Sequence, residues 1–233
     1  MRRLGTELIQ QASLLLHLPQ VCSSTAQVLF QRVLFCVSLK SHSVLQMASA
    51  SLFLSTKLEE CPRRTRDILN VFHVLMTRLK TGDSNVATLD YEGIEFLALK
   101  ELVFKGEIHI LDSLGFNVHV QHPHGYVVNY LQVLGLTAPT PSMKEAPLQR
   151  AWNYVNDCSR TPAVVLFQAN VLATAAIFLA CRDLGIPLST KSQWWQVFDT
   201  QWPQIQIIAA ILQSCLYSDA FDFHSVASSD LVS

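Results

Sequence analysis

The chain of 233 residues is half apolar, only 15% charged, and carries a formal net charge of −1. That composition supports a sizeable packed core rather than a disordered chain, and its balanced charge gives no expectation of a phosphate-binding face. The eight glycines form no G-x-G-x-x-G, P-loop or G-x-S-x-G string, which removes the common nucleotide-loop and hydrolase readings.

Apolar residues recur at helical spacing along the chain, and long alternating stretches are absent. The spacing predicts helices over 4–17, 22–39, 43–59, 64–80, 93–115, 123–135, 146–159, 168–184, 192–199 and 203–217. Pro19, Pro62, Pro123, Pro147, Pro162, Pro187 and Pro203 stand at or beside the breaks, where a missing N–H and a fixed φ do least harm. The apolar stretch from Pro162 to Cys181 is interrupted by Gln168 and Asn170, so it reads as a buried helix and not as a membrane span. Met1-Arg2-Arg3 resembles the start of a secretory signal, but Glu7, Gln10 and Gln11 break the apolar segment that should follow. An intracellular soluble protein is expected.

Two segments stand out. VLQMASASLFLSTKL (44–58) and VLATAAIFLAC (171–181) are apolar or small on nearly every side, the pattern of a helix surrounded by others. Ala50-Ser51-Leu52-Phe53-Leu54-Ser55 also aligns in type with Ala175-Ala176-Ile177-Phe178-Leu179-Ala180. An all-α architecture follows: two tandem bundles of about five helices, each wrapped round one buried central helix. The extended-looking Val118–Pro123 stretch, after Gly115, sets the boundary, with a first domain over 1–120, a second over 121–220 and a tail over 221–233. The linker-like stretch from Thr137 to Pro147 falls inside the second domain.

Six cysteines (Cys22, Cys36, Cys61, Cys158, Cys181 and Cys215) lie far apart, with no C-x-x-C, and read as small buried hydrophobes. His119, His122 and His124 look like a metal cluster, but Pro123 breaks the helix that would align them, and a polar interdomain segment is expected. Trp194-Trp195-Gln196-Val197-Phe198 either packs the last helices together or anchors a partner. No nucleophile, base and orienter stand together, so no catalytic residue, cofactor or metal is expected.

Two charged features resist a bland reading. The first central helix ends in Lys57-Leu58-Glu59-Glu60, followed by Cys61-Pro62-Arg63-Arg64-Thr65-Arg66-Asp67. Lys57 suits the negative end of a helix dipole; Glu59 and Glu60 do not, unless Arg63, Arg64 and Arg66 neutralise them or something else needs them. Val103, Ile110 and Leu114 form an apolar stripe in which Glu107 takes the missing position. A carboxylate there is paired, protonated, facing a partner, or reaching from the stripe's edge into water. Lys57 is a plausible mate.

Ser55-Thr56-Lys57-Leu58-Glu59-Glu60 resembles the signature of the cyclin box, and two five-helix boxes are the cyclin fold. Within that family the chain is similar to the cyclin L branch. The similarity is carried by Glu7-Leu8-Ile9-Gln10, Leu18-Pro19-Gln20-Val21, Pro62–Asp67 and Asn70-Val71-Phe72-His73. It continues through Leu114–Val120, His122-Pro123-His124 and Ala151-Trp152-Asn153-Tyr154. The related cyclin Q has a similar Trp-Trp-Gln-Val-Phe string.

The resemblance implies a non-enzymatic regulatory subunit of a cyclin-dependent kinase, most simply of the PITSLRE type. Such a subunit acts in the nucleus on RNA polymerase II transcription and pre-mRNA splicing, with no direct nucleic-acid or membrane partner. By motif, Lys57 and Glu107 take the centre of the kinase-binding face, with Glu59, Glu60, Arg63 and Arg64 beside them. The alternative is a cyclin-box scaffold that binds transcription factors or nucleic acid, as transcription factor IIB does. Three departures accompany the resemblance. Leu4–Ile9 lacks the Met-Arg-Ala-Ile-Leu docking patch of cell-cycle cyclins. Leu89-Asp90-Tyr91 and Gly93 replace a more basic stretch. The chain stops at Ser233 without the Arg/Ser-rich tail common in cyclin L, which reads as a fragment, a short isoform or a divergent member.

Overall fold

The helical periodicity takes shape in a computed structural model that describes residues 1–38, 42–82, 85–136, 146–188 and 193–216. Backbone contacts divide it into two units, the first spanning Met1–Val120 and the second beginning at Gln121. Among the described residues there are helices and turns but no strand. The linker-like residues 137–145 and the tail assigned to 221–233 lie outside the described residues.

The first unit holds α1 (Arg2–Leu15), α2 (Gln20–Cys36), α3 (Val44–Leu58), α4 (Thr65–Thr81) and α5 (Ile94–Ser113). α3 packs against all four others. Its positions from Met47 to Thr56 are buried without a break, as its all-round apolar pattern requires. Polar residues survive inside because their hydroxyls bond backward: Ser55 donates to the Leu52 carbonyl at 2.8 Å and Thr56 to that of Phe53 at 2.8 Å. Arg2 closes the C-terminal end of α2. Its guanidinium donates to the Leu34 carbonyl at 2.9 Å and lies over the Phe35 ring.

The second unit holds α6 (Pro123–Val133), α7 (Pro147–Ser159), the single turn α8 (Ala163–Leu166), α9 (Ala169–Asp183) and α10 (Trp202–Leu216). α9 is its buried centre, in contact with α6, α7, α8 and α10. The repeat seen in the sequence carries into the fold. α3 and α9 each have 15 residues, and Ala50 and Ala175 both stand seventh.

Three expectations need correction. Residues 194–198 form a 3-10 turn and not an α-helix, bounded by Gln193 and Asp199, both in the left-handed region (φ 45° and 51°). Trp194, Trp195 and Phe198 are buried there, so the aromatic segment packs inward, with Phe198 stacked on Tyr130 at 3.9 Å. α8 was not expected, and it forms directly after Pro162. The cysteines are not all alike. Cys158 and Cys181 are buried and Cys36 is exposed, while Cys22 on α2 is joined to Cys61 by a disulfide.

Candidate functional site

The turn after α3 explains how Cys61 reaches Cys22 and how the charged residues are set. Glu59 caps the helix, and Glu60 follows with φ 55°, a left-handed position usually taken by glycine. The Cys61 N–H then returns to the Thr56 carbonyl at 3.0 Å and the Glu60 N–H to that of Lys57 at 3.4 Å, a Schellman closure. This reversal carries Cys61 back over the first turn of α2.

Glu59, misplaced against the helix dipole, accepts a 2.6 Å hydrogen bond from the Thr25 hydroxyl of α2. Arg63, one of the residues expected to neutralise it, is turned elsewhere. Its guanidinium donates to the Leu16 and His17 carbonyls at 3.3 Å, closing the C-terminal end of α1. Arg66 meets its neighbour Asp67 at 3.4 Å and lies over the Tyr91 ring. Glu60 and Arg64 are exposed.

Lys57 and Glu107 do meet. The Lys57 ammonium, in the last turn of α3, donates to both Glu107 carboxylate oxygens, at 2.6 and 2.8 Å. The Glu107 side chain is 14% exposed and that of Lys57 46%, so the carboxylate sits in the wall between helices while the ammonium faces outward. The helices approach closely because Gly106, the residue before Glu107, has no side chain. A Cβ there would lie 2.8 Å from the Cβ of Ala50 on α3. This glycine was not singled out in the sequence. The available signal is a Gly in a helix interior beside an odd charge, where Ala would favour the helix by about 1 kcal/mol.

On α5, and just past its end at Phe116, apolar side chains stand uncovered. Phe104, Ile108 and Phe116 are 37%, 67% and 71% exposed. An open cleft of about 560 Å³ is lined by Lys105, Ile108, His109, Leu111, Asp112 and Phe116. Exposed apolar side chains on the helix that also holds a fixed ion pair are the composition of a protein-docking surface.

The histidine motif divides. The carbonyl of His119 accepts from Arg32 of α2 at 2.9 Å. His122 caps α6, and His124 enters that helix as a buried residue. Its Nε2 lies 2.9 Å from Asn156 Oδ1 and its ring packs 4.6 Å from Trp152, so His124 belongs to the core of its unit and not to a polar segment. Burial lowers its pKa from the ordinary 6.5. Among the described residues no three His, Cys, Asp or Glu side chains are placed to hold a metal ion. No described helix is long and apolar enough to cross a membrane.

No protein-family model matches the chain. It is similar to human cyclin-L1, with 43% identity over 208 residues covering 89% of this chain and 38% of the relative. It is similar to mouse cyclin-L2 at 42% identity, covering 89% and 39%. This chain belongs to the cyclin family. It spans about two-fifths of the length of the curated relatives it matches. Its fold is also that of a chain in the yeast RNA polymerase II CTD kinase CTDK-1 complex, with a TM-score of 0.73 and 21% identity, covering 95% of this chain and 66% of that one. A chain of the CAK complex from Chaetomium thermophilum bound to ATP-γ-S gives a TM-score of 0.64 at 20% identity, covering 91% and 62%. The two units are thus two cyclin boxes, and cyclins regulate a kinase partner without being kinases themselves.

Proposed function

We propose that this cyclin is the activating subunit of a cyclin-dependent kinase, bound chiefly through its first box. The observation that carries the reading is the Lys57–Glu107 ion pair with the uncovered apolar strip of Phe104 and Ile108 on the same helix α5. A kinase helix laid on this strip buries Phe104, Ile108 and Phe116 and receives hydrogen bonds from the rim of the ion pair. The cyclin performs no chemistry. It binds the active arrangement of the kinase more tightly than the inactive one and so shifts the population toward it. The physical step is an inward displacement of the kinase's mobile C-helix. That completes the kinase's own Lys–Glu ion pair and orders its Mg-ATP site.

Glu59, Glu60, Arg63 and Arg64 form the flank of the same surface. Glu60 and Arg64 are exposed to meet the kinase directly, while Glu59 and Arg63 hold the segment in place through Thr25 and the end of α1. We read the partner as a PITSLRE-type kinase, the site of action as the nucleus and the roles as RNA polymerase II transcription and pre-mRNA splicing, which is what the resemblance to cyclin L implies. The likeness to a chain of a polymerase CTD kinase complex supports the polymerase-linked part.

The test is co-purification with a PITSLRE-type kinase, followed by phosphorylation of a polymerase C-terminal-domain peptide. Activation by the wild-type chain, lost with Lys57→Ala, is the expected result. A stable complex with a transcription factor or nucleic acid, without any kinase activation, would favour the scaffold function instead.

A further inference from the structure

Lys57 is a long, half-exposed side chain, and such a chain samples many rotamers unless something besides a surface ion pair restrains it. Glu107 holds the ammonium from α5. A second restraint comes from within α3. Phe53, four residues earlier and on the same helix face, places its ring centroid 4.0 Å from the Lys57 Nζ. The Phe53 ring is 6% exposed and leans on Phe104 of α5 at 5.7 Å with a 35° tilt. Phe104 in turn precedes Glu107 by three residues. Each helix therefore contributes one ring and one charge to the same spot: Phe53 and Lys57 from α3, Phe104 and Glu107 from α5.

The second box lacks this arrangement at the equivalent place. Phe178 and Arg182 stand tenth and fourteenth in α9, as Phe53 and Lys57 do in α3. Phe178 packs edge-on against Trp202 of α10 at 5.0 Å, so an indole stands where the first box brings Phe104. The second box does set a cation over a ring and against a carboxylate, Arg150 over Tyr154 of α7 with Asp183 of α9 at 2.8 Å, but on a different helix pair from the one that corresponds to α3 and α5.

We propose that Phe53 is the positioning residue for Lys57, fixing its ammonium toward Glu107 and the incoming kinase helix through the face of its ring. This rests on the proposed kinase-binding function for its consequence, but the positioning itself is a property of the free protein. A structural role alone predicts that any apolar residue of similar size serves at 53. The positioning role predicts that only an aromatic does.

Two measurements on the full chain decide it. In the free protein, the Lys57 ε-methylene protons should be shifted upfield by the ring, and Phe53→Met should abolish that shift while leaving Lys100, which lies over Phe104, unchanged. Phe53→Tyr, which keeps the ring face, should retain it. In binding to a PITSLRE-type kinase, Phe53→Met should weaken the complex roughly 2- to 30-fold, the range of a cation–π contact. Phe53→Tyr should restore affinity to within about twofold. In a Lys57→Met background, Phe53→Met should change affinity by less than about twofold, because it acts through Lys57. An unshifted Lys57 in wild type, or an equal loss from Phe53→Met in both backgrounds, overturns the proposal. If Lys57→Met binds the kinase as wild type does, the kinase-binding function fails, and the proton shifts alone decide the positioning.

Discussion

Gly106 and Ala50 stand at the point where α5 crosses α3, so close that a Cβ on Gly106 would lie 2.8 Å from that of Ala50. Both atoms would be held by helix backbones, so neither can swing aside. The next residue along α5 is Glu107, and this approach is what lets its carboxylate reach Lys57.

Gly106→Ala is expected to gain about 1 kcal/mol in helix propensity and to lose about 1–3 kcal/mol to overpacking. The net result should be a lower melting temperature, by a few degrees. Gly106→Val should be clearly worse and should also weaken kinase binding, because it separates the ion pair. Thermal melts of both variants check this. A raised melting temperature in either would mean that the helices have room to spare.

Thr25→Val removes the 2.6 Å hydrogen bond that offsets Glu59 at the end of α3. With Glu59 only part-buried, the loss should be about 1 kcal/mol, read as a shift in the urea midpoint. Thr25→Ser should keep most of the stability. If Thr25→Val matches wild type, Glu59 is held by its surroundings without the hydroxyl.

Burial holds the His124 pKa below its ordinary 6.5, so just below that pH the unfolded chain takes up a proton that the folded chain refuses. Stability should therefore be unaffected by His124 above pH 6.5 and should fall as the pH drops through the window beneath it. His124→Gln, which retains an amide to face Asn156, should lose less melting temperature between pH 7.5 and 5.5 than wild type does. Equal losses would show that His124 does not set the acid response.

Much of the architecture was legible because the deciding signals are local. The all-round apolar character of 44–58 and 171–181 marked both central helices, and prolines marked most breaks. The Lys57–Glu107 pairing was also within reach, since one was a charge at the end of a buried helix and the other a charge on an apolar stripe. What escaped depends on three-dimensional approach. The disulfide needs the left-handed Glu60 to reverse the chain, and no glycine advertised that turn. The 3-10 geometry of 194–198 depends on Gln193 and Asp199 adopting left-handed backbone, which their residue types do not announce. Arg63 resembled a partner for Glu59 in sequence, yet the free carbonyls at the end of α1 lie within its reach instead.

The cysteines should separate cleanly by reactivity. Burial pushes the Cys158 thiol up to about 12 and the Cys181 thiol to about 11, so neither should react with iodoacetamide at pH 8 in the folded protein. Exposed Cys36 should react readily. Cys22 and Cys61 should be labelled only after reduction. Their disulfide spans a sequence separation of 39 residues and should stabilise the oxidised chain by about 4 kcal/mol at most. In a reducing compartment the same two residues would be thiols. Mass spectrometry of labelled peptides, with and without reductant, checks all five. Labelling of Cys22 or Cys61 without reductant in air-oxidised protein would count against the disulfide.

The central claim is that Lys57 and Glu107 act together as the kinase contact of the first box. The most direct measurement is the affinity for a PITSLRE-type kinase of wild type, Lys57→Ala, Glu107→Ala and the double variant, with circular dichroism of each free protein alongside. Removing one partner of an ion pair buried by the kinase should cost about 2–5 kcal/mol, a loss of roughly 30- to 5,000-fold. The double variant should lose less than the sum of the singles. The free proteins should remain helical with small changes in melting temperature, because solvent reaches Lys57 when no kinase covers it. Wild-type affinity in both single variants would contradict the account, leaving the ion pair as a bridge between α3 and α5 and nothing more.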